Sequence, residues 1–208
     1  MRYLIKTPWI VKKWIYPDYC WSMPSDEKII YLSFDDGPHP EATPFVLEQL
    51  RKYDAKATFF CIGKNVLQYP EIYRNIMTEG HATGNHTFDH LNGWKTDNET
   101  YFENIAKAAS YIHTDLFRPP YGRITRFQAA LARERFGLST IMWSVLSADF
   151  DVEITPQQCW KNVEKTTGPG SIVVFHDSEK ALPRMKVALP LVLEKFTELG
   201  YRFNKITL

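Results

Sequence analysis

Ile29-Ile30-Tyr31-Leu32-Ser33-Phe34-Asp35-Asp36-Gly37-Pro38 is the stretch from which the rest of the chain can be read. An apolar run stops abruptly at two carboxylates and a Gly-Pro turn. That places the acids at the tip of a buried strand. Adjacent side chains on an extended backbone diverge, so one acid is free to bind a cation while the other handles a proton. Taken alone, the same pair is also ordinary turn chemistry.

Working outward, strand patterns fall at 29–34, 57–61, 80–84, 115–118, 138–143, 171–176 and 200–204. Helical patterns fall between them at 43–53, 64–79 in two pieces, 99–112, 125–135, 155–165 and 184–199. Thr43-Pro44 and Thr155-Pro156 each set an N-cap candidate before a proline, and Gly200 stands where the last helix would end. Repeated β-then-α units predict a parallel sheet covered by helices. The polar motifs all follow the predicted strands, where β/α barrels carry their sites. The expected fold is therefore α/β, a distorted (β/α) barrel of about seven parallel strands in a single domain. Residues 1–28, rich in prolines and tryptophans, are expected to be an irregular segment packing on a barrel formed by 29–208. A doubly wound open sheet would also place sites at strand ends.

A second motif follows fifty residues later, Gly84-Asn85-His86-Thr87-Phe88-Asp89-His90. On a helical turn, residues four apart share a face, so both imidazoles would reach one ion. Two histidines and a carboxylate suit zinc, with cobalt or nickel next, and leave a coordination position open.

Composition bounds the rest. A chain of 208 residues with 44% apolar content buries one core. A net charge of +1 gives no electrostatic case for nucleic acid or an anionic membrane, and Lys12-Lys13 is too small a cluster to alter that balance. Cys20, Cys61 and Cys159 lack CxxC spacing and read as reduced thiols. The first eight residues show no long apolar region or cleavage site, and no stretch is long enough to span a bilayer. A cytoplasmic protein is expected, unless an export signal lies outside this sequence.

Five blocks together resemble the polysaccharide deacetylases of the NodB-homology type, carbohydrate esterase family 4. They are Ser33 to Pro38, His86 to His90, Arg118-Pro119-Pro120-Tyr121-Gly122, Trp143 to Phe150, and Val174-Phe175-His176-Asp177. The resemblance implies that 29–208 is a catalytic domain that removes N-acetyl, or O-acetyl, groups from an amino-sugar glycan. Asp36, His86 and His90 would hold a divalent metal, most simply Zn2+, that polarises the acetamide carbonyl and lowers the pKa of its water from ~16 toward ~7. Asp35 would be the general base, oriented by the Arg118 guanidinium, and the Tyr121 N–H would stabilise the oxyanion. His176 would be the general acid, held charged by Asp149, although Asp149 could equally form a turn with Asp151. Pro120, Tyr121, Trp143 and Val174 would line the substrate pocket. The chain departs from the family at Leu146, where an acid is frequent, and at Phe150, where tryptophan is frequent. Hydrolysis of a non-glycan amide or cyclic imide, or silent carbohydrate binding, are the alternative readings. Trp94 is a candidate sugar platform or a ring packed on its own domain, and His81 a hydrogen-bonded core imidazole.

Overall fold

The computed structural model describes residues 3–24 and 26–208; Met1, Arg2 and Ser25 of the N-terminal segment lie outside the described residues. The strands are β1 (Ile29–Asp35), β2 (Ala57–Cys61), β3 (Ala82–Asn85), β4 (Leu116–Phe117), β5 (Ser139–Thr140), β6 (Val145–Leu146), β7 (Ile172–His176) and β8 (Arg202–Phe203). The helices are α1 (Ala42–Lys52), α2 (Gly63–Gln68), α3 (Pro70–Thr78), α4 (Asn98–Ala109), α5 (Arg126–Phe136), α6 (Pro156–Glu164) and α7 (Leu182–Glu198). Seven strands pair in the order β5-β4-β3-β2-β1-β7-β6, and β8 joins the lower end of β1. Every ladder is parallel.

Alternation along β1 separates an outer layer from an inner one. Ile30, Leu32 and Phe34 face outward into the main core, with Leu47 and Leu50 of α1 and Leu189 and Leu193 of α7. Tyr31 faces inward and packs with Phe60 of β2, Leu116 of β4 and Ile172 of β7. Ser33 and Asp35 share that inner side, both bonded to Arg118, which lies beyond β4. Side chains from strands this far apart meet only if the sheet curls upon itself, which is the expected distorted barrel. Period-two alternation thus decides which residues of β1 fill the interior and which bury helices.

Three local expectations change. Val145–Leu146 is a strand, where none is predicted between 143 and 171; two residues are too few to leave a periodic signal. Thr43 lies inside α1 rather than capping it, and the cap is supplied by His39 Nδ1, which accepts from the Ala42 N–H at 3.2 Å. Thr155 does cap α6, in a reciprocal capping box with Gln158. The N-terminal segment carries one wide helical turn, Val11–Ile15, and is tied to the sheet by its backbone. Its N–H and carbonyl groups bridge at Lys6 to Val145 beside β6, and at Cys20 to Ile141 beyond β5. Those are the two ends of the strand order, so the segment fills the seam where the curled sheet does not close, and reaches the N-terminal end of β7 at Ser22 and Ser171.

Candidate metal centre and active site

β1 and β7 run in register, with Asp35 opposite His176. Two groups of opposite proton-transfer potential therefore stand side by side at the carboxyl end of the sheet. Asp35 is buried, and its Oδ1 accepts from Arg118 Nη1 at 2.7 Å. Arg118 is fully buried, and its guanidinium is shared among four acceptors: Asp35, the Ser33 hydroxyl, and the Ile141 and Met142 carbonyls. Phe60 covers its face at 4.0 Å. The pairing with Asp35 is thus single-toothed, because the remaining donors anchor Arg118 to the barrel interior. Burial lowers its pKa, while Asp35 raises it.

Continued as a strand, Asp36 would point outward at the helices. Instead it adopts φ 81°, ending β1 and bringing its carboxylate back over the sheet. Among the described residues, Asp36, Asp54, Thr87, His90, Tyr121 and Ala148 are the non-glycines with positive φ. All but Asp54 lie on the loops around this site. Such backbone costs of order 1–3 kcal/mol per residue and persists where surrounding contacts impose it.

The His86–His90 segment is not the helical turn that its spacing suggested. It is a loop after β3 with Thr87 at φ 62° and His90 at φ 60°, which brings the imidazoles together by a different route. Asn85 and Asn104 shape it: Asn85 accepts from the Thr87 N–H, and Asn104 accepts from the N–H groups of Phe88 and Asp89. Asp89 in turn accepts from Asn104 Nδ2, a supporting contact away from the imidazoles.

One ligand atom each from Asp36, His86 and His90 lies within 4.8 Å of the others. His86 Nδ1 is 2.7 Å from the Arg118 carbonyl, which only accepts, so that nitrogen carries the proton. In the neutral ring Nε2 is then a bare lone pair, and it faces Asp36 Oδ1 at 3.6 Å. His90 Nε2 faces the same oxygen at 3.1 Å, while its Nδ1 meets the Tyr121 hydroxyl. Asp36 Oδ1 is itself buried without a hydrogen-bond partner. Lone pairs converging on a buried, orphaned carboxylate oxygen need a cation among them, so these residues fit a divalent metal. Burial raises the Asp36 carboxyl, while the charge on His176 lowers it.

Across the site, His176 is held by both oxygens of the fully buried Asp149. Nδ1 binds Oδ1 and the backbone N–H binds Oδ2, each at 2.7 Å. Burial alone would discharge the imidazole; the Asp149 carboxylate more than compensates, raising its pKa to about 9. Asp149 therefore serves His176 and not a turn with Asp151, which accepts from the Tyr3 hydroxyl instead. Phe150 packs edge-on against His176 at 5.1 Å.

Tyr121 is exposed on the loop after β4, and Pro120 beneath it is buried. The Trp143 ring lies where a side chain on Gly122 would be, which joins the two loops. Val174 and Leu146 are buried opposite one another on β7 and β6. Trp94 is half exposed; its indole N–H binds the Ile124 carbonyl and Arg123 lies over it at 4.2 Å. His81 accepts the Ala57 N–H, as a core imidazole would, and burial lowers its pKa to about 4.

Sequence reasoning missed Asp177. Its carboxylate accepts from the Gly37 N–H at 3.0 Å and from the Thr43 hydroxyl, and occupies the space a Gly37 side chain would need. Burial pushes it up to about 8 against those two donors. The available signal was its place directly after His176, which on alternating parity turns it outward beneath the Asp36 turn.

A profile of the polysaccharide deacetylases matches residues 22–140. The chain belongs to the polysaccharide deacetylase family. A peptidoglycan-N-acetylglucosamine deacetylase of Bacillus cereus is 35% identical to it over 193 residues, 90% of each chain. The crystal structure of a peptidoglycan N-acetylglucosamine deacetylase bound to an N-hydroxybenzamide superposes with a TM-score of 0.87 at 31% identity, covering 95% of both chains. A family pseudoenzyme from Bacillus anthracis also shares the fold, with a TM-score of 0.79 at 26% identity over 89% of this chain and 66% of its own. Since a pseudoenzyme shares the deacetylase fold, activity has to be argued from the residues at the site.

Proposed function

We propose that this chain is a metal-dependent hydrolase that removes the N-acetyl group of amino-sugar residues in a glycan, with N-acetylglucosamine-containing polymers as the substrate class. The observation that carries the reading is one strand-end cluster with three functions: a two-imidazole, one-carboxylate donor set, a carboxylate fixed by a buried guanidinium, and an imidazole kept charged by a buried aspartate. The likeness to the Bacillus cereus deacetylase supports the choice of glycan. Asp36, His86 and His90 would hold the cation, and the donor set favours Zn2+, with Co2+ or Ni2+ as substitutes.

Such a cation supplies Lewis acidity toward the acetamide oxygen and toward water. Asp35 takes the proton of the attacking water; Arg118 aims that carboxylate. The Tyr121 N–H, first after the stiff Pro119-Pro120 pair, donates to the oxyanion of the tetrahedral intermediate. His176 delivers its proton to the amine nitrogen as the C–N bond breaks, since an amide nitrogen leaves poorly as an anion. Trp143, Val174 and Pro120 form the apolar wall for the acetyl methyl group. His176 draws its charge from Asp149, so Leu146 does not deprive it of an acid.

Acetate release from N-acetylglucosamine oligomers tests this reading. It is expected from the zinc-loaded protein, lost after chelation, restored by zinc or cobalt, and lowered about a hundredfold or more in Asp35→Asn. Zinc bound by the parent without acetate from any glycan would overturn it and favour a small amide, a cyclic imide or silent binding.

A further inference from the structure

Exposed apolar side chains gather in the first part of the chain. Leu4 is 61% exposed, Trp9 61%, Ile10 53%, Trp14 71% and Ile15 42%. No residue of the Val11–Ile15 turn is buried. Its hydrogen bonds span five residues, as from the Tyr16 N–H to the Val11 carbonyl, so residues four and five apart fall toward the same side. That brings Trp9 and Trp14, and Ile10 and Ile15, toward a common side of the segment. Lys6 and Lys13 are exposed beside them, and the Lys12 stem is half-buried.

Charge singles out the same stretch. Residues 1–17 contain Arg2, Lys6, Lys12 and Lys13 and no acid, a charge of +4 within a chain of net +1, which leaves −3 for the remainder. The surface is held in place from several directions. The Thr7 hydroxyl and N–H bind the Trp143 and Ser144 carbonyls, Leu146 donates to Ile5, and Arg126 binds the Ile15 carbonyl. Tyr3 packs on Phe150, which packs on His176, so the patch adjoins the rim of the site.

We propose that this rigid Trp/Ile/Leu surface with its lysines docks the protein on an anionic lipid bilayer. Tryptophans seat at the headgroup level, aliphatic side chains enter below them, and lysines meet the negative surface. A sugar platform is disfavoured, because residues 3–17 offer no carboxylate or carboxamide for hydroxyl groups and the Thr7 hydroxyl is already engaged. Self-association through this face would oppose Lys6, Lys12 and Lys13 to their own copies.

Sedimentation of the full chain with lipid vesicles tests the proposal, independently of whether it releases acetate. Binding is expected to phosphatidylglycerol-containing vesicles with a blue-shifted indole emission, and to weaken in high salt and with pure phosphatidylcholine. Trp9→Ser/Trp14→Ser and Lys12→Glu/Lys13→Glu are each expected to reduce the partition coefficient by about tenfold or more. Acetate release from a soluble oligomer, measured in parallel, should be unchanged in both variants, which separates docking from the reaction. No preference for anionic vesicles, or a tryptophan variant that binds like the parent, would overturn the proposal. So would retention on an anionic polysaccharide resin together with failure to bind vesicles.

Discussion

Asp35 and Asp36 are neighbours with separate environments because one ends a strand and the other leaves it. Asp35 keeps strand parity and faces the buried Arg118; Asp36 turns through a left-handed backbone and faces two imidazoles. Asp35→Asn is therefore expected to lower kcat by about 10²–10⁴-fold while zinc content by atomic absorption stays at the parent level. His176 carries its proton up to about pH 9, because Asp149 holds it there. Asp149→Asn should move the alkaline limb of the pH–rate profile to lower pH. The same pair contributes to folding stability. Its pKa is raised on folding, so the stabilisation is complete below about pH 6.5 and is lost as pH rises through about 9, at most about 3 kcal/mol. Urea titrations of parent and Asp149→Asn across that range should converge at the alkaline end. These residues were legible because catalysis confines them to few chemical types. The left-handed Thr87 and His90 were not, since their conformation is imposed by Asn85 and Asn104 through contacts that spacing does not encode.

At the scale of the element, the helices and most strands could be read from periodicity, β4, β5 and β8 as longer strands than they are. The strand that was missed, β6, is two residues long and held by its neighbours rather than by its own pattern. The turn after β1 has a sterically fixed shape: a Cβ on Gly37 would stand 2.0 Å from Asp177 Oδ2. Gly37→Ala is expected to cost about 1–3 kcal/mol by overpacking and to weaken zinc binding, because Asp36 is the preceding residue. Thermal melting with a zinc competition assay checks both effects. Thr155→Ala removes a capping box and should cost about 1 kcal/mol in urea denaturation without changing kcat.

Across the whole molecule, the curled sheet is completed by the N-terminal segment at its seam, and its mouth carries the donor set for a cation. Zinc binding would relieve the orphaned Asp36 oxygen. At a hundredfold excess over Kd it should stabilise the fold by about 2.7 kcal/mol, a Tm rise of roughly 5–10 °C for a chain of this size. Differential scanning calorimetry with chelator and with zinc measures it, and Asp36→Ala should show no rise. The whole-chain charge, which gave no case for an anionic membrane, averages a basic first stretch against an acidic remainder. Averages hide such asymmetry; the fold exposes it by leaving Trp9 and Trp14 outside the core.

The sequence alone determined the α/β alternation, the strand-end position of the polar motifs, and the chemical types of the metal and proton-transfer groups. These depend on local periodicity and on which side chains a reaction tolerates. Tertiary structure alone decided how the sheet curls, which parity of β1 faces inward, how the His86–His90 loop folds without a helix, and where Asp177 supports the Asp36 turn. Each of those is fixed by contacts between residues far apart in the chain, which no local pattern records.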